Sequence, residues 1–302
     1  MKSKKIIIGS RGSKLALIYA ERARKKLLNF CSEVEIKKIV TDGDLNQKDR
    51  LSDIGGKGLF SKKIENNLIN NQIDIAVHAL KDMPSEEPED LITNCFLERN
   101  DPREVLISKN NNQIRNLKTN SVIGTSSLRR EYQLKRIRND LKYKLIRGNV
   151  DTRIKKLNDD LYDAIILSYA GLKSLNIDEQ ISQIFSTQEI IPSVGQGVVA
   201  LQCRKNDKHT LDLLSKINHK KTSICVNAER YLLKVLEGDC ETAVGAFAYV
   251  ENDVINLNAE LFSIDGKQRF YHHSKKDIML SKELGLEVGG ILKKVSKDSY
   301  KR

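Results

Sequence analysis

The sequence contains no Trp, four Pro and 5% aromatic residues, and its five cysteines never form a C-x-x-C pair. The odd number and wide spacing of these cysteines argue against a disulfide framework and against a structural zinc site. No apolar run approaches the roughly 20 residues that a membrane-spanning helix needs. The apolar stretch Ile6–Ile8 is too short for a signal peptide. We therefore expect a cytoplasmic protein that needs no metal and does not contact a membrane.

Positive charge is abundant: the 302 residues carry 52 Lys and Arg against 40 Asp and Glu, a formal net charge of +12. The positive charge is concentrated between Arg129 and Lys156, where the sequence contains eleven basic and three acidic residues. A polyanionic small molecule, nucleic acid or a solvated lysine-rich surface would each account for such a balance. Few aromatic residues are interleaved with this charge, so a stacking platform for single-stranded nucleic acid is weakly supported.

Short β-rich runs alternate with amphipathic helical stretches through the first two thirds of the chain. This pattern predicts an α/β fold of two lobes around a cleft, with parallel strands and ligand sites at their carboxyl ends. The polar segment Glu98–Arg103 and a second stretch interrupted by Pro and Gly, Ile190–Gly197, predict two crossings between the lobes. Turn signals at Asn252-Asp253 and Asp265-Gly266 predict a smaller C-terminal α+β domain with a three-stranded antiparallel sheet. The predicted domains are 1–98 with about 195–218, 103–191, and 220–302.

Two strand ends in the first predicted lobe carry candidate site residues. Arg11 and Ser13 lie between a strand and a helix, where the helix N-terminus favours an anion, although Ser13 could equally be a simple N-cap. Lys81 and Asp82 follow a second apolar strand. The carboxylate there could stabilise a developing positive charge, or the pair could be an ordinary surface ion pair.

The second predicted lobe repeats this arrangement with more charge. Hydroxyl residues and arginines follow two neighbouring strands, which predicts a ligand with several carboxylates or phosphates, while a merely charged face remains the alternative. These residues are Thr125, Ser127, Arg129, Arg130, Arg147 and Arg153. Cys240, on a turn after a helix, is either a reactive thiol or an unremarkable free one.

Seven segments share a collinear pattern with a known family over about residues 6–245. They are Ile8–Ser13, Ile54–Phe60, Ala76–Pro84, Ile123–Arg130, Ile146–Arg153, Val194–Gly197 and Leu236–Cys240. In combination these segments resemble the porphobilinogen deaminase (hydroxymethylbilane synthase) family. The resemblance implies three domains, the first two similar to periplasmic binding proteins and the third bearing a cofactor on a cysteine.

The resemblance also implies the chemistry. The family's dipyrromethane cofactor is attached through a thioether, and four porphobilinogen molecules are joined to it head to tail with release of ammonia. Hydrolysis then frees 1-hydroxymethylbilane for tetrapyrrole biosynthesis. Each porphobilinogen brings an acetate and a propionate, which would explain the basic cleft better than a phosphate ligand does. The expected partners are porphobilinogen and, for hand-over of the product, uroporphyrinogen-III synthase; we expect a monomer that binds no nucleic acid.

Matching motif to motif, the resemblance implies that Cys240 holds the cofactor and that Asp82 is the catalytic carboxylate. The implied cofactor-binding residues are Lys81, Thr125, Ser127, Arg129, Arg130 and Arg147, and the implied substrate-binding residues are Arg11, Ser13, Arg153, Lys57 and Phe60. Two positions depart from the family pattern: Ser174 stands where an arginine is frequent, and Asp239 where a glycine is frequent.

Two alternatives belong to other functional classes. A two-lobed receptor for a polyanion would use the same arginines without covalent chemistry and would tolerate replacement of Cys240. A nucleic-acid-binding protein would show a steep salt dependence of its affinity for duplex or single strands.

Overall fold

The computed structural model describes residues 5–45, 58–238 and 242–301. The chain divides into two compact units, unit 1 (Met1–Asn100 with Gly197–Ile224) and unit 2 (Asp101–Gln196 with Cys225–Arg302). The changes of unit after Asn100 and after Gln196 fall within the two segments that were predicted to cross between the lobes. A separate third domain over residues 220–302 stays a prediction.

The described ranges contain helices and strands in the following order. The helices are α1 (Lys14–Leu27), α2 (Asp42–Leu45), α3 (Lys62–Ile69), α4 (Leu128–Ile137), α5 (Val150–Asn158), α6 (Tyr169–Ser174), α7 (Lys208–Ile217), α8 (Lys220–Val235) and α9 (Ser281–Ser296). The strands are β1 (Ile6–Arg11), β2 (Val34–Ile39), β3 (Ile75–Ala79), β4 (Leu91–Phe96), β5 (Glu104–Ser108), β6 (Val122–Gly124), β7 (Lys142–Lys144), β8 (Ala164–Ser168), β9 (Gln183–Ile184), β10 (Val199–Arg204), β11 (Val244–Glu251), β12 (Val254–Phe262) and β13 (Arg269–Asp277).

Unit 1 is built on a five-stranded sheet in the order β2-β1-β3-β10-β4. Strands β1, β2 and β3 are parallel, whereas β10 runs antiparallel to both β3 and β4. The sequence pattern predicted parallel strands and missed β4 and β10. Strand β10 lies within the segment of about residues 195–218 that the sequence predicted to return to the first lobe, but the residue pattern there did not indicate a strand.

The core of unit 1 forms where α1 packs on this sheet. Tyr19, Ala20, Ala23 and Leu27 make up the buried face of the helix. They contact apolar side chains from β1, β3 and β10, including the fully buried Leu201. Burial of a large aliphatic or aromatic side chain contributes about 1.5–3 kcal/mol, so this face holds α1 against the sheet.

Unit 2 contains a second five-stranded sheet, β7-β6-β8-β5-β9, and a three-stranded antiparallel sheet, β11-β12-β13. The predicted hairpin turn is confirmed, because Asn252 and Asp253 both have positive φ angles of 48° and 60°. Helix α9 packs on β12 and β13, and it approaches α8 so closely that a Cβ on Gly285 would lie 2.2 Å from the Ala228 carbonyl oxygen. The two αβ sheets and the C-terminal α+β part confirm the predicted fold class.

Candidate functional site

In unit 1, the junction between β1 and α1 places Arg11 and Ser13. The Ser13 hydroxyl accepts a hydrogen bond from the Ala16 amide at 3.3 Å, so it caps α1 as a helix N-cap does. Arg11 Nη2 lies 2.5 Å from Asp44 Oδ1, and its guanidinium stacks 4.0 Å from the centroid of the Phe60 ring. The charge of Arg11 is therefore largely balanced within unit 1, and the ring holds its plane in place.

Asp44 is a site residue that the sequence analysis missed. Its Oδ2 accepts hydrogen bonds from the Thr41 amide at 3.2 Å and the Thr41 hydroxyl at 2.8 Å. Burial alone would raise the pKa of Asp44. The hydrogen bonds and positive charge of Arg11, together with the hydrogen bonds of Thr41, outweigh this effect and hold the pKa of Asp44 below its ordinary value. A Cβ on Gly43 would lie 2.2 Å from the Phe60 ring, so a larger residue at position 43 would displace this ring.

Asp82 lies at the end of a single 3-10 turn, Leu80–Asp82, that directly follows β3. The turn is fixed by the buried Leu80, while Lys81 and Asp82 are half-buried. An open pocket brings four predicted site residues together in unit 1: Arg11, Ser13, Phe60 and Asp82. A carboxylate and a guanidinium therefore share one cavity, which can accept both a hydrogen-bond donor and an acid.

His78 lines the same pocket from β3. It is 7% exposed, and its Nε2 finds no hydrogen-bond partner in the part of the chain that the structure describes. Burial lowers the pKa of His78 to about 4. The imidazole is therefore neutral at physiological pH, and it adds no positive charge to the cavity that holds Asp82.

The buried imidazole predicts a pH dependence of stability. Between pH 6.5 and about 4 the unfolded chain binds a proton at His78 that the folded chain does not. The contribution of the neutral imidazole to the free energy of unfolding is thus fully present above pH 6.5 and is lost as the pH falls towards 4. A pKa difference of about 2.5, at 1.36 kcal/mol per pH unit, corresponds to about 3 kcal/mol. We expect His78→Gln to lose less stability than the wild type between pH 8 and pH 5, as measured by thermal melting. His209→Gln, at an exposed position of α7, is the control, and equal losses in all three proteins would contradict the prediction.

In unit 2, the junction between β6 and α4 places Thr125 and Ser127. The Ser127 hydroxyl accepts a hydrogen bond from the Arg130 amide at 3.4 Å and caps α4. The Ser127 amide in turn donates to the Thr125 hydroxyl at 3.1 Å. These bonds fix the first turn of α4, which carries Arg129 and Arg130, at the carboxyl end of β6.

Arg129 and Arg130 are buried rather than exposed to solvent, at 4% and 7%. Arg129 Nη2 and Arg130 Nη2 lie 2.6 and 2.7 Å from the two carboxylate oxygens of Glu104. Burial lowers the pKa of Arg129, although the charge of Glu104 opposes that effect. Glu104 is the second site residue that the sequence analysis missed, and it balances one of the two charges.

Arg147 has no such counter-charge. It is 9% exposed, and its guanidinium has no hydrogen-bond or ion-pair partner among the residues described in unit 2. Burial alone lowers its pKa. Arg153, on α5, donates from Nε to the Gly148 carbonyl at 2.8 Å. A buried cation without a partner is costly, so this position favours an anionic ligand.

The structure describes one of the two positions that depart from the family pattern, Ser174. Lys57, Cys240 and Asp239 lie outside the described residues. Ser174 donates its hydroxyl hydrogen to the Ala170 carbonyl at 2.7 Å within α6, so it does not replace a basic side chain. Across residues 5–45, 58–238 and 242–301, no helix is long and apolar enough to span a bilayer, and no cluster of three His, Cys, Asp or Glu side chains suits a metal ion.

An α/β fold with a carboxylate at one strand end and buried arginines at others is typical of the class of proteins that bind acidic small molecules. Comparison with known families makes the assignment specific. Residues 6–212 match the model of the porphobilinogen deaminase dipyromethane cofactor binding domain, and residues 223–294 match the porphobilinogen deaminase C-terminal domain. The chain belongs to the porphobilinogen deaminase family, and its cofactor is dipyrromethane.

Relatives of the chain cover nearly its full length. A porphobilinogen deaminase of Staphylococcus epidermidis is 42% identical over 295 residues, covering 96% of this chain and 95% of the relative. One of Bacillus cereus is 44% identical over 295 residues, covering 96% and 94%. This coverage includes both units, so the family assignment applies to the whole chain.

The solved structures that match the chain include binding proteins. The methionine binding protein MetQ has a TM-score of 0.45 at 12% identity, covering 75% of this chain and 92% of that one. A probable amino-acid ABC transporter extracellular-binding protein of Bacillus subtilis has a TM-score of 0.42 at 15% identity, covering 72% and 90%.

Proposed function

We propose that the protein is the transferase that makes 1-hydroxymethylbilane in tetrapyrrole biosynthesis. It joins four porphobilinogen molecules head to tail on a covalent dipyrromethane primer, releases ammonia at each condensation and hydrolyses the finished chain from the primer. Family membership over residues 6–212 and 223–294 supports this reaction. We further propose a cytoplasmic monomer that passes its product to uroporphyrinogen-III synthase.

The observation that carries the proposal is the unpaired, buried guanidinium of Arg147. A side chain that is 9% exposed and meets no carboxylate in the described part of unit 2 favours an anionic ligand. Acetate and propionate groups supply that anion in every ring of the primer and of the growing product. Arginine matches them better than lysine, because its guanidinium can bind both oxygens of a carboxylate.

The residues present fit a dipyrromethane with acidic side chains. Arg130 Nε is buried and has no partner in the described chain, which gives a second donor for a carboxylate besides Arg147. We propose that both bind the cofactor, together with Lys81, Thr125 and Ser127, and that Cys240 holds it by a thioether. The bound group supplies the terminal pyrrole carbon to which the first substrate is joined.

We propose that Asp82 is the catalytic carboxylate. It lies in the unit 1 pocket, where it can accept hydrogen bonds from pyrrole N–H groups and stabilise positive charge as ammonia leaves. A fixed anion is effective there because it needs no reorganisation during the reaction. We propose that the substrate is bound by Arg11, Ser13, Phe60, Lys57 and Arg153. The arginine and lysine side chains would bind its acidic groups.

The test of the proposal is Arg147→Leu. Loss of the unpaired cation is expected to slow elongation by about 10- to 100-fold and to leave enzyme with partly built chains attached, visible as additional masses in intact-protein mass spectrometry. Arg136→Leu is the matched control, because it removes the same charge from an exposed position of α4. Ordinary kinetics and no stalled species in Arg147→Leu would overturn the placement of Arg147 on the ligand.

A further inference from the structure

Glu104 contributes a fully buried carboxylate to the arginine cluster of unit 2. It is 0% exposed, and one carboxylate oxygen lies 2.6 Å from Arg129 while the other lies 2.7 Å from Arg130. We propose that Glu104 is a positioning residue that holds both arginines in their ligand-binding arrangement before any ligand is present. This inference rests on the proposed function and adds to it a residue that does not itself touch the ligand.

The contacts of the two guanidinium groups show how completely they are held. Arg129 Nη1 donates to the Ile191 carbonyl at 2.7 Å, and Arg130 Nη1 donates to the Ile166 carbonyl at 3.2 Å. Each guanidinium is therefore fixed on one side by Glu104 and on the other by the main chain. Charge-assisted hydrogen bonds of this length are directional, so they set the plane of each group as well as its position.

Glu104 is suited to this role because its own backbone is rigid. It is the first residue of β5, which lies between β8 and β9 in the sheet. It pairs with Ser168 of β8, and its carbonyl accepts a hydrogen bond from the Phe185 amide at 3.0 Å. A carboxylate on a strand held from both sides positions its partners more accurately than one on a loop would.

The charges of the cluster indicate which kind of ligand it favours. Glu104 is the one carboxylate in direct contact with the two guanidinium groups, and the charge of the more distant Glu260 also acts on Arg129. The direct contacts thus leave an excess of positive charge at residues that are at most 7% exposed. A buried excess charge favours the approach of an anion. The unmet donor in this cluster is Arg130 Nε, whereas Arg129 has both of its assigned contacts to protein groups.

The experiment compares Glu104→Gln with Glu229→Gln. Glu229 is also buried, at 0% exposure, and accepts hydrogen bonds from the Gly195 and Ala248 amides at 2.7 and 2.8 Å, so its replacement removes a buried carboxylate elsewhere in unit 2. We expect both variants to melt at lower temperature than the wild type. Only Glu104→Gln should carry less of the covalent adduct in intact-mass spectra, and the loaded fraction should show a KM raised by up to about 100-fold with a smaller change in kcat.

Glu104→Asp provides the rescue, because it keeps the charge and should restore part of the adduct and of the KM. It also keeps the test informative if Glu104→Gln does not fold. The inference is overturned if Glu104→Gln and Glu104→Asp load cofactor and bind substrate as Glu229→Gln does. A wild-type chain that acquires no adduct would instead contradict the proposed function.

Discussion

Asp82→Asn is expected to lower the rate of product formation by about 10²–10³-fold or more while the protein stays folded. The substitution keeps the size of the side chain but removes the negative charge from the pocket that Asp82 shares with Arg11 and Ser13. Removal of one preorganised electrostatic group from an active site has effects of this size. Because Asp82 is half-buried on a short turn, its amide should cost little folding stability.

Two further variants make the Asp82 result specific. Asp90→Asn changes an exposed carboxylate that also follows β3 in unit 1, and it should react at the wild-type rate. Asp82→Glu keeps the charge but displaces it, and it should retain more activity than Asp82→Asn. The measurement is the initial rate of ammonia release, with circular dichroism to confirm the fold. A near-normal rate for Asp82→Asn would remove Asp82 from its assigned role.

Cys240→Ala is expected to abolish both the covalent cofactor and all turnover. The intact mass of the denatured wild-type chain should exceed that of the polypeptide by two linked pyrrole units, and the adduct should react with Ehrlich's reagent. Cys240→Ala should show the bare polypeptide mass, since no other thiol is expected to replace it. Cys31→Ala removes a buried free thiol of unit 1 and should keep the adduct.

The opposite result would have an equally clear meaning. A bare mass for the wild-type chain, unchanged after incubation with porphobilinogen, would indicate a protein that binds acids and performs no chemistry. An adduct that persists in Cys240→Ala but disappears in Cys31→Ala would move the attachment site. Neither outcome would change the family to which the chain belongs.

The parts of the site that the sequence predicts are those encoded by neighbouring residues. Ser13 and Ser127 each follow a strand and precede a helix, so their capping could be predicted from a few positions. Asp82 was predictable for the same reason, because an apolar strand leads directly to it.

The counter-charges of the arginines could not be predicted in this way. Asp44 is 33 residues from Arg11, and Glu104 is 25 residues from Arg129. Nothing in a local pattern distinguishes these carboxylates from the many solvated ones. As a result, the sequence predicts a cluster of free arginines, whereas the structure shows Arg147 as the one of this set without a protein partner in the described ranges.

The return of the chain to unit 1 has a consequence for biosynthesis of the protein. Strand β10 lies between β3 and β4, and Val199–Cys203 are all buried there. During translation, the first hundred residues are synthesised before β10, and about a hundred further residues are added before β10 follows. At ribosomal speeds this takes roughly 5–20 s. Throughout that interval the edge of β3, immediately before Asp82, has no partner on the β10 side. A nascent chain therefore exposes an apolar strand edge, and chaperone dependence should be greatest in that window of synthesis.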